Sequence, residues 1–552
     1  MKERLNKILI VAITRLGDLL QATPIFMGLK EEHPDCEITV LTDRDMVSFC
    51  KALPGIDRIV EIDLSLLLNL LRKEQEALID GYRYIDKLVE ELRSYNFEMV
   101  LNISSSSYSA ILIKLLNVQD CRGWVSDEQG NRLINSPWSR LFSANVYHAN
   151  RDLNSINIVD FLRSAAGVTK HPLCLRYNLS DESRKAASAK LSSLHLAGSG
   201  PLICIQAGAS QEKRQWAPAR FAELTQRLVD GLDARVLFTG ARSEMPLIAE
   251  ILKLFSHSNV ASIAGATRLD ELGAILETAD LLITGDTGPM HMAVAVGTPV
   301  VAVFLASALC YETGPYSSGN LVVQALLSCC PCNPNFPCAR PDCHDQVSPE
   351  LIFFLAQKRL ELPELWDLEI PAALANPANT AVFVTYFDED RFLDYKKLNP
   401  GGIRNGYPLS LYDSFRNAHR ELWKEEFQVK TPQSYSPASQ PLLDETVFPH
   451  QKLMRLTADG IAQINQLVDL IRDESAPPRL LGEVNSRLEE IDKNIEDIGL
   501  AYLFAGTITR LFIIEKENMR GNDPLILASE MKDLYQGLSR RTRRLGELLL
   551  RF

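Results

Sequence analysis

Hydrophobic and polar positions fall into two blocks in which short β-branched runs alternate with amphipathic stretches. In the first block, Lys7–Ile13, Glu37–Asp43, Arg58–Asp63 and Met99–Ser104 read as strands, separated by helical patterns such as Leu19–His33. Parallel strands need crossover connections, so this order predicts a doubly wound sheet covered by helices on both faces. A second set starts at Pro201, with strands expected at Leu202–Gln206, Arg235–Thr239, Val260–Ala264, Leu281–Thr284 and Val300–Phe304. Between the sets, a helical pattern over 148–167 and a polar stretch over 180–200, containing Gly198-Ser199-Gly200, place a boundary near residue 185. The expected architecture is α/β: two Rossmann-like domains, residues 1–185 and 186–370, facing a cleft lined by the loops that follow strands.

After Pro371 the pattern changes. One β-rich run, Ala381–Tyr386, precedes a polar, proline-containing stretch and then long helical repeats. Leu481, Val484, Leu488, Ile491, Ile495, Ile498 and Tyr502 alternate spacings of three and four, the mark of a helix–helix seam. Ile461, Ile464, Val468 and Ile471 repeat it, as do Leu527, Met531, Leu534 and Leu538. Residues 371–552 are therefore expected to form a mainly helical extension, as a compact bundle or, in second place, as a homo-oligomer contact.

Composition removes several classes of function. At 46% hydrophobic, the 552-residue chain can bury several cores. A net charge of −12 opposes a surface built to neutralise nucleic-acid phosphates, so no nucleic-acid partner is expected. The best apolar run, Leu64–Leu71, is broken by Ser65 and Asn69 and falls short of the roughly 20 residues that span a bilayer. Lys2, Arg4 and Lys7 precede only Ile8–Ile13, too short for a secretory signal, which makes the cytoplasm the expected location. Cys36, Cys50, Cys121, Cys174, Cys204 and Cys310 are scattered and are expected to remain thiols.

Candidate chemistry sits in three post-strand loops. Thr14-Arg15-Leu16-Gly17-Asp18 follows the first strand and leads into a helix expected to open at Leu19, where Asp18 either caps the helix or faces the cleft. Ala207-Gly208-Ala209-Ser210 follows Leu202–Gln206; next come Lys213 and Arg214, either neutralising a diphosphate or forming a solvated turn anchored by Trp216. Strand Leu281–Thr284 ends in Gly285-Asp286-Thr287-Gly288-Pro289-Met290-His291. A helix start offers unpaired N–H groups and a positive dipole end to a pyrophosphate, and Gly288 permits close approach. Asp286 cannot attract phosphate; its open roles are orienting donors, accepting from sugar hydroxyls, meeting a cation or capping the helix, while His291 faces the ligand or joins the core.

Taken together, Gly17-Asp18 with Thr23-Pro24, the Gly208–Trp216 segment, Gly240–Glu244, and Asp286-Thr287-Gly288 with His291 resemble glycosyltransferase family 9, which contains the ADP-heptose heptosyltransferases of lipopolysaccharide assembly. The likeness spans roughly residues 7–360, including Asn102–Ala110 and Arg122-Gly123-Trp124. It implies a GT-B fold and an inverting transfer of heptose or a related sugar from a nucleotide-diphosphate donor, ADP-heptose favoured, to a lipopolysaccharide core or other bacterial glycan. A protein hydroxyl as acceptor and a catalytically idle assembly protein are the alternatives. Carried onto this chain, Asp18 matches the family's general base on an acceptor-side loop of Thr14, Arg15 and Gly17; Ser210, Lys213 or Arg214, Glu244, Asp286, Thr287, Gly288 and His291 match the donor side. One departure stands out: Arg214 occupies the place of the family's phosphate-binding lysine, and Arg forks around phosphate differently. No cofactor is expected for the transfer itself.

Two features lie outside that chemistry. Cys329, Cys330, Cys332, Cys338 and Cys343 crowd into a loop, 329–343, with a C-x-x-C spacing suited to metal. Because relatives resemble it there, the favoured ligands are Cys329, Cys332, Cys338 and Cys343, holding structural iron or zinc; an unliganded thiol-rich loop is the alternative. The run Arg540-Arg541-Thr542-Arg543-Arg544, followed by Leu545, Leu548, Leu549 and Leu550, reads either as a peripheral contact with the cytoplasmic face of the inner membrane or as a solvated helix end.

Overall fold

In a computed structural model, residues 5–71, 75–404, 407–432, 444–473 and 475–551 are described; Lys2 and Arg4 lie outside them. The chain divides into two compact units, one of residues 1–132 with 156–409 and the other of residues 133–155 with 410–552.

The first unit holds both Rossmann-like sheets. β1 (Lys7–Val11), β2 (Glu37–Asp43), β3 (Arg58–Ile62), β4 (Met99–Asn102) and β5 (Asp120–Ser126) form one sheet in the order 3-2-1-4-5; β6 (Arg132–Asn135) falls almost wholly in the other unit. β1 pairs in parallel with β2 and with β4, Val11 standing opposite Leu41 on one side and Asn102 on the other. A strand covered on both faces can be apolar throughout, and Ile8, Leu9, Ile10 and Val11 are all fully buried.

The second sheet contains β7 (Leu202–Gln206), β8 (Arg235–Thr239), β9 (Val260–Ser262), β10 (Leu281–Thr284), β11 (Val300–Phe304), β12 (Leu321–Ala325), β13 (Thr380–Phe387) and β14 (Leu393–Lys397), in the order 14-13-12-11-10-7-8-9. β13 and β14 are antiparallel additions, Val323 standing opposite Val382. This moves the boundary expected at residue 370: the β-rich run Ala381–Tyr386 completes the second sheet instead of opening the helical extension. Val382 is fully buried and Val384 nearly so, which is why the run joins that core.

The second unit is helical. Helices Asp444–Arg472, Pro478–Ala501 and Pro524–Leu549 pack together, with Val484, Leu488, Ile495 and Ile498 buried along the expected seam. Segment 133–155, sequence-wise part of the first Rossmann-like domain, is knitted into this unit. Trp138 lies 4.9 Å from Phe427, Ile134 N–H donates to Asn518 Oδ1 at 2.7 Å, and Arg416 Nε–H donates to Asp152 O at 2.9 Å.

The basic run near the C-terminus is committed within the bundle. Arg541, 6% exposed, binds Glu515 through both terminal nitrogens at 2.7 and 2.8 Å and Glu426 at 3.0 Å; Arg544 grips Glu425 at 2.7 and 2.9 Å. Leu545 and Leu548 are buried. Two of the run's arginines and two of its leucines thus serve the interior of the bundle, while Arg540 and Arg543 are exposed. No helix among the described residues is long and apolar enough to cross a membrane.

Candidate functional site

Strand order reverses between β1 and β4 in the first sheet and between β7 and β10 in the second. Ligands of open α/β sheets bind at such switch points, beyond the carboxyl ends of the strands. The loops leaving β1, β7, β8 and β10 carry the candidate residues, and they meet. Arg15, Gly17, Asp18, Ser210, Arg214 and Glu244 line one cavity of about 700 Å³ together with Asp286, Thr287, Gly288 and His291.

Asp18 is held on the first-domain side. Helix Leu16–Gln21 starts earlier than the Leu19 expected, so Asp18 is its third residue and not its cap. The Thr14 hydroxyl donates to Asp18 Oδ2, and Arg15 N–H donates to the same oxygen at 3.3 Å. Both bonds fall on Oδ2, which fixes the carboxylate and leaves Oδ1 without a partner among the described residues.

On the facing side, helix Gly288–Val296 begins behind β10. Pro289 has no N–H and Met290 N–H is bonded to Thr287 O at 3.1 Å, so the amides left to meet an anion at this start are those of Thr287 and Gly288. Glycine sets how near the two helix starts come. A Cβ on Gly17 would stand 3.1 Å from His291 Cδ2, and one on Gly288 would stand 3.1 Å from Leu16 Cδ2. His291 is 4% exposed and its Nδ1 has no partner. Burial pulls its pKa down to about 4, so the ring is neutral at physiological pH.

Arg214 reaches the cavity from the turn Glu212–Arg214. Its Nε–H donates to Ser307 Oγ at 2.8 Å and its Nη1–H to Asp286 Oδ2 at 3.2 Å. Asp286 thus orients a cation, one of the roles left open for it. The guanidinium keeps further N–H groups for an incoming anion. Glu244 sits where two glycine turns converge: it accepts from Gln206 Nε2 at 3.1 Å on each carboxylate oxygen and from Ala241 N–H at 2.6 Å. A Cβ on Gly208 would fall 1.7 Å from Glu244 Oε1, so this approach requires glycine.

One expectation is corrected. Lys213 does not enter the cleft; its ammonium donates to Asn333 O and Pro334 O at 3.1 Å and to Phe336 O at 2.7 Å, and it lines a separate cavity of about 910 Å³. That cavity is the larger, but none of the cleft carboxylates or phosphate-loop residues borders it. The favoured thiols differ in burial. Cys329 and Cys338 are exposed, while buried Cys343 pairs with buried Cys330, a residue outside the set. The two thiols interact, which lowers the pKa of Cys343 and raises that of Cys330. Among the described residues no three His, Cys, Asp or Glu side chains are already arranged to hold a metal ion, although Cys329, Cys338 and Cys343 all lie near enough to Cys332 to raise its pKa.

Residues 85–337 match the family model described as glycosyltransferase family 9 (heptosyltransferase). Over that stretch, 253 of the 552 residues, the chain is similar to glycosyltransferase family 9. It is a glycosyltransferase, with relatives among lipopolysaccharide enzymes. It is 27% identical over 300 residues to lipopolysaccharide heptosyltransferase 3 of Escherichia coli, covering 52% of this chain and 80% of that one. Lipooligosaccharide heptosyltransferase 2 of Haemophilus influenzae is 23% identical over 331 residues, covering 58% and 88%. The crystal structure of a family 9 glycosyltransferase from Veillonella parvula superimposes with a TM-score of 0.53 at 18% identity, covering 65% of this chain and 98% of that one. This supports the two-sheet GT-B fold.

The glycosyltransferase cleft also contains residues that the motifs did not single out: Gln21, Gln206, Thr267, Arg268 and Thr313. Gln206 ends β7, and Thr267 and Arg268 follow β9. Extending the rule that post-strand loops face the cleft to every strand of the second sheet finds these three; nothing in the local sequence marks Thr313.

Proposed function

We propose that this glycosyltransferase transfers heptose or a related sugar, with inversion, from a nucleotide-diphosphate donor, ADP-heptose favoured, to a hydroxyl of a lipopolysaccharide core or other bacterial glycan. One observation carries the reading: a carboxylate with a free oxygen, Asp18, shares a single cavity with the Arg214–Asp286 pair and the helix start at Gly288. The names of the relatives, lipopolysaccharide and lipooligosaccharide heptosyltransferases, support the sugar and the acceptor class.

In this reading the acceptor hydroxyl attacks the anomeric carbon opposite the diphosphate, and Asp18 Oδ1 takes its proton as the bond forms. Alcohol acidity rises during attack, so an ordinary carboxylate suffices as the base. The leaving diphosphate gains charge in the same step. Arg214, already oriented by Asp286 and Ser307, and the Thr287 and Gly288 amides stabilise that charge without reorganising.

The test is a panel of nucleotide sugars with mass-spectrometric detection of product, run on wild type and on Asp18→Asn. Turnover is expected to fall by about 100-fold or more, the usual scale of a general base, with ADP affinity unchanged. Near-normal transfer by Asp18→Asn removes Asp18 as the base, and retention of anomeric configuration removes the single-displacement mechanism.

A further inference from the structure

The Cys-rich loop and the cleft are joined through one short turn. Within Glu212–Arg214, consecutive side chains part company: Arg214 lines the cleft, whereas Lys213 lines the other cavity and binds the loop. A lysine ammonium has three N–H donors, and here three backbone carbonyls, at residues 333, 334 and 336, accept them at 2.7–3.1 Å. The charge is therefore fully engaged before any ligand arrives, and reaching a phosphate in the cleft requires breaking those bonds.

The loop holds the same turn from its other end. His344 Nε2 lies 2.8 Å from Lys213 O, and Trp216 Nε1–H donates to His344 O at 3.3 Å. Cys332 N–H donates to Ala306 O at 3.0 Å, one residue before Ser307, the residue that receives the Arg214 Nε–H bond. The loop thus grips the backbone on which Arg214 sits and also the strand-end segment that orients its guanidinium.

We infer that the loop 329–346 is the platform that sets Arg214, with Lys213 as its clamp: Lys213 is a positioning residue that acts on donor diphosphate only through Arg214. This rests on the reading of the cleft as a nucleotide-diphosphate site. Consecutive basic residues beside a phosphate site invite the assumption that both bind phosphate; here the geometry divides them into one that meets the ligand and one that fixes the first in place.

The experiment is a double-mutant cycle on the full chain, read by calorimetric affinity for ADP and, separately, for inorganic pyrophosphate. Lys213→Met is expected to weaken ADP binding about tenfold, the scale of one misplaced charge-assisted hydrogen bond. In an Arg214→Met background, Lys213→Met is expected to change nothing further. Equal, additive losses in the two backgrounds overturn the inference, because they mean that Lys213 touches the phosphate itself. His344→Leu repeats the cycle from the loop side and serves if Lys213→Met does not fold; if both unfold, the loop is a general folding element and the positioning role is overturned. Should wild type bind pyrophosphate but not ADP, the nucleotide assignment falls and the cycle proceeds on pyrophosphate. Should it bind neither, the donor-site reading falls and this inference with it.

Discussion

Gly208→Ala tests the cleft at its tightest point. The backbone there is ordinary, since Gly208 is not among the residues with positive φ, so alanine meets no conformational penalty and the effect is steric. The added Cβ would stand 1.7 Å from Glu244 Oε1, 2.2 Å from its Cδ and 2.8 Å from its Cγ, distances that no rotamer adjustment of a methyl group relieves. Glu244 must move, abandoning its bonds from Gln206 Nε2 and Ala241 N–H. Bonds to a charged acceptor contribute about 1.5–3 kcal/mol each, so Gly208→Ala is expected to lower folding stability on that scale and, by displacing a side chain that lines the cleft, to weaken ADP binding. Calorimetry on Gly208→Ala, Glu244→Ala and the double variant reads it out. With Glu244 truncated there is nothing left to clash with, so the glycine substitution should then be nearly silent. If Gly208→Ala binds ADP like wild type, or if its cost persists unchanged in the Glu244→Ala background, the steric account is wrong.

Three further outcomes follow from buried charge and buried imidazole. Arg541→Met strands the Glu515 carboxylate inside the helical unit and leaves Glu426 with Arg540, and should cost about 3 kcal/mol, visible as a lower denaturation midpoint for that unit; an unchanged midpoint refutes the buried triad. Asp286→Ala frees Arg214 from its orienting partner without removing its charge, so ADP should still bind while turnover falls about tenfold or more; unchanged turnover means the pair is incidental. Burial holds His291 and His419 near pKa 4 and, with the Arg163 charge adding to it, His171 near 3. Their folded values lie below the unfolded one of about 6.5, so the stability they contribute is complete above that pH and is lost as pH falls toward 4. Between pH 7 and 5 each should remove roughly 2 kcal/mol, and chemical denaturation of His291→Gln should show a flatter pH dependence; an identical slope rules His291 out as a source.

Much of the fold was legible because the strands of both sheets are buried on both faces. A run such as Leu202–Gln206 has one reading when every residue is apolar or at a strand end, and it holds that position next to β10 and β8. β5 escaped because Asp120-Cys121-Arg122-Gly123 is polar along its first half, where the burial is only partial. β13 was seen as a strand but assigned to the wrong unit, since pairing partners are a property of the sheet and not of the run. The cleft followed from the rule that loops beyond strand ends carry ligands, and Asp18, Arg214 and Asp286 do line one cavity. Which of Lys213 and Arg214 faces the cleft was not legible: side-chain direction in a three-residue turn depends on acceptors more than 100 residues away, the carbonyls of the loop at 333–336.

The helical unit draws residues 133–155 from a point in the chain roughly 250 residues before the start of its other part. At roughly 5–20 residues per second on the ribosome, Trp138, Leu141 and Leu153 emerge about 10–50 s before most of the helices that bury them have been made. During that interval a translating chain carries an unburied apolar insert beside a sheet that can already fold. Recombinant yield should then respond to slower growth at lower temperature more strongly than equilibrium unfolding alone would suggest.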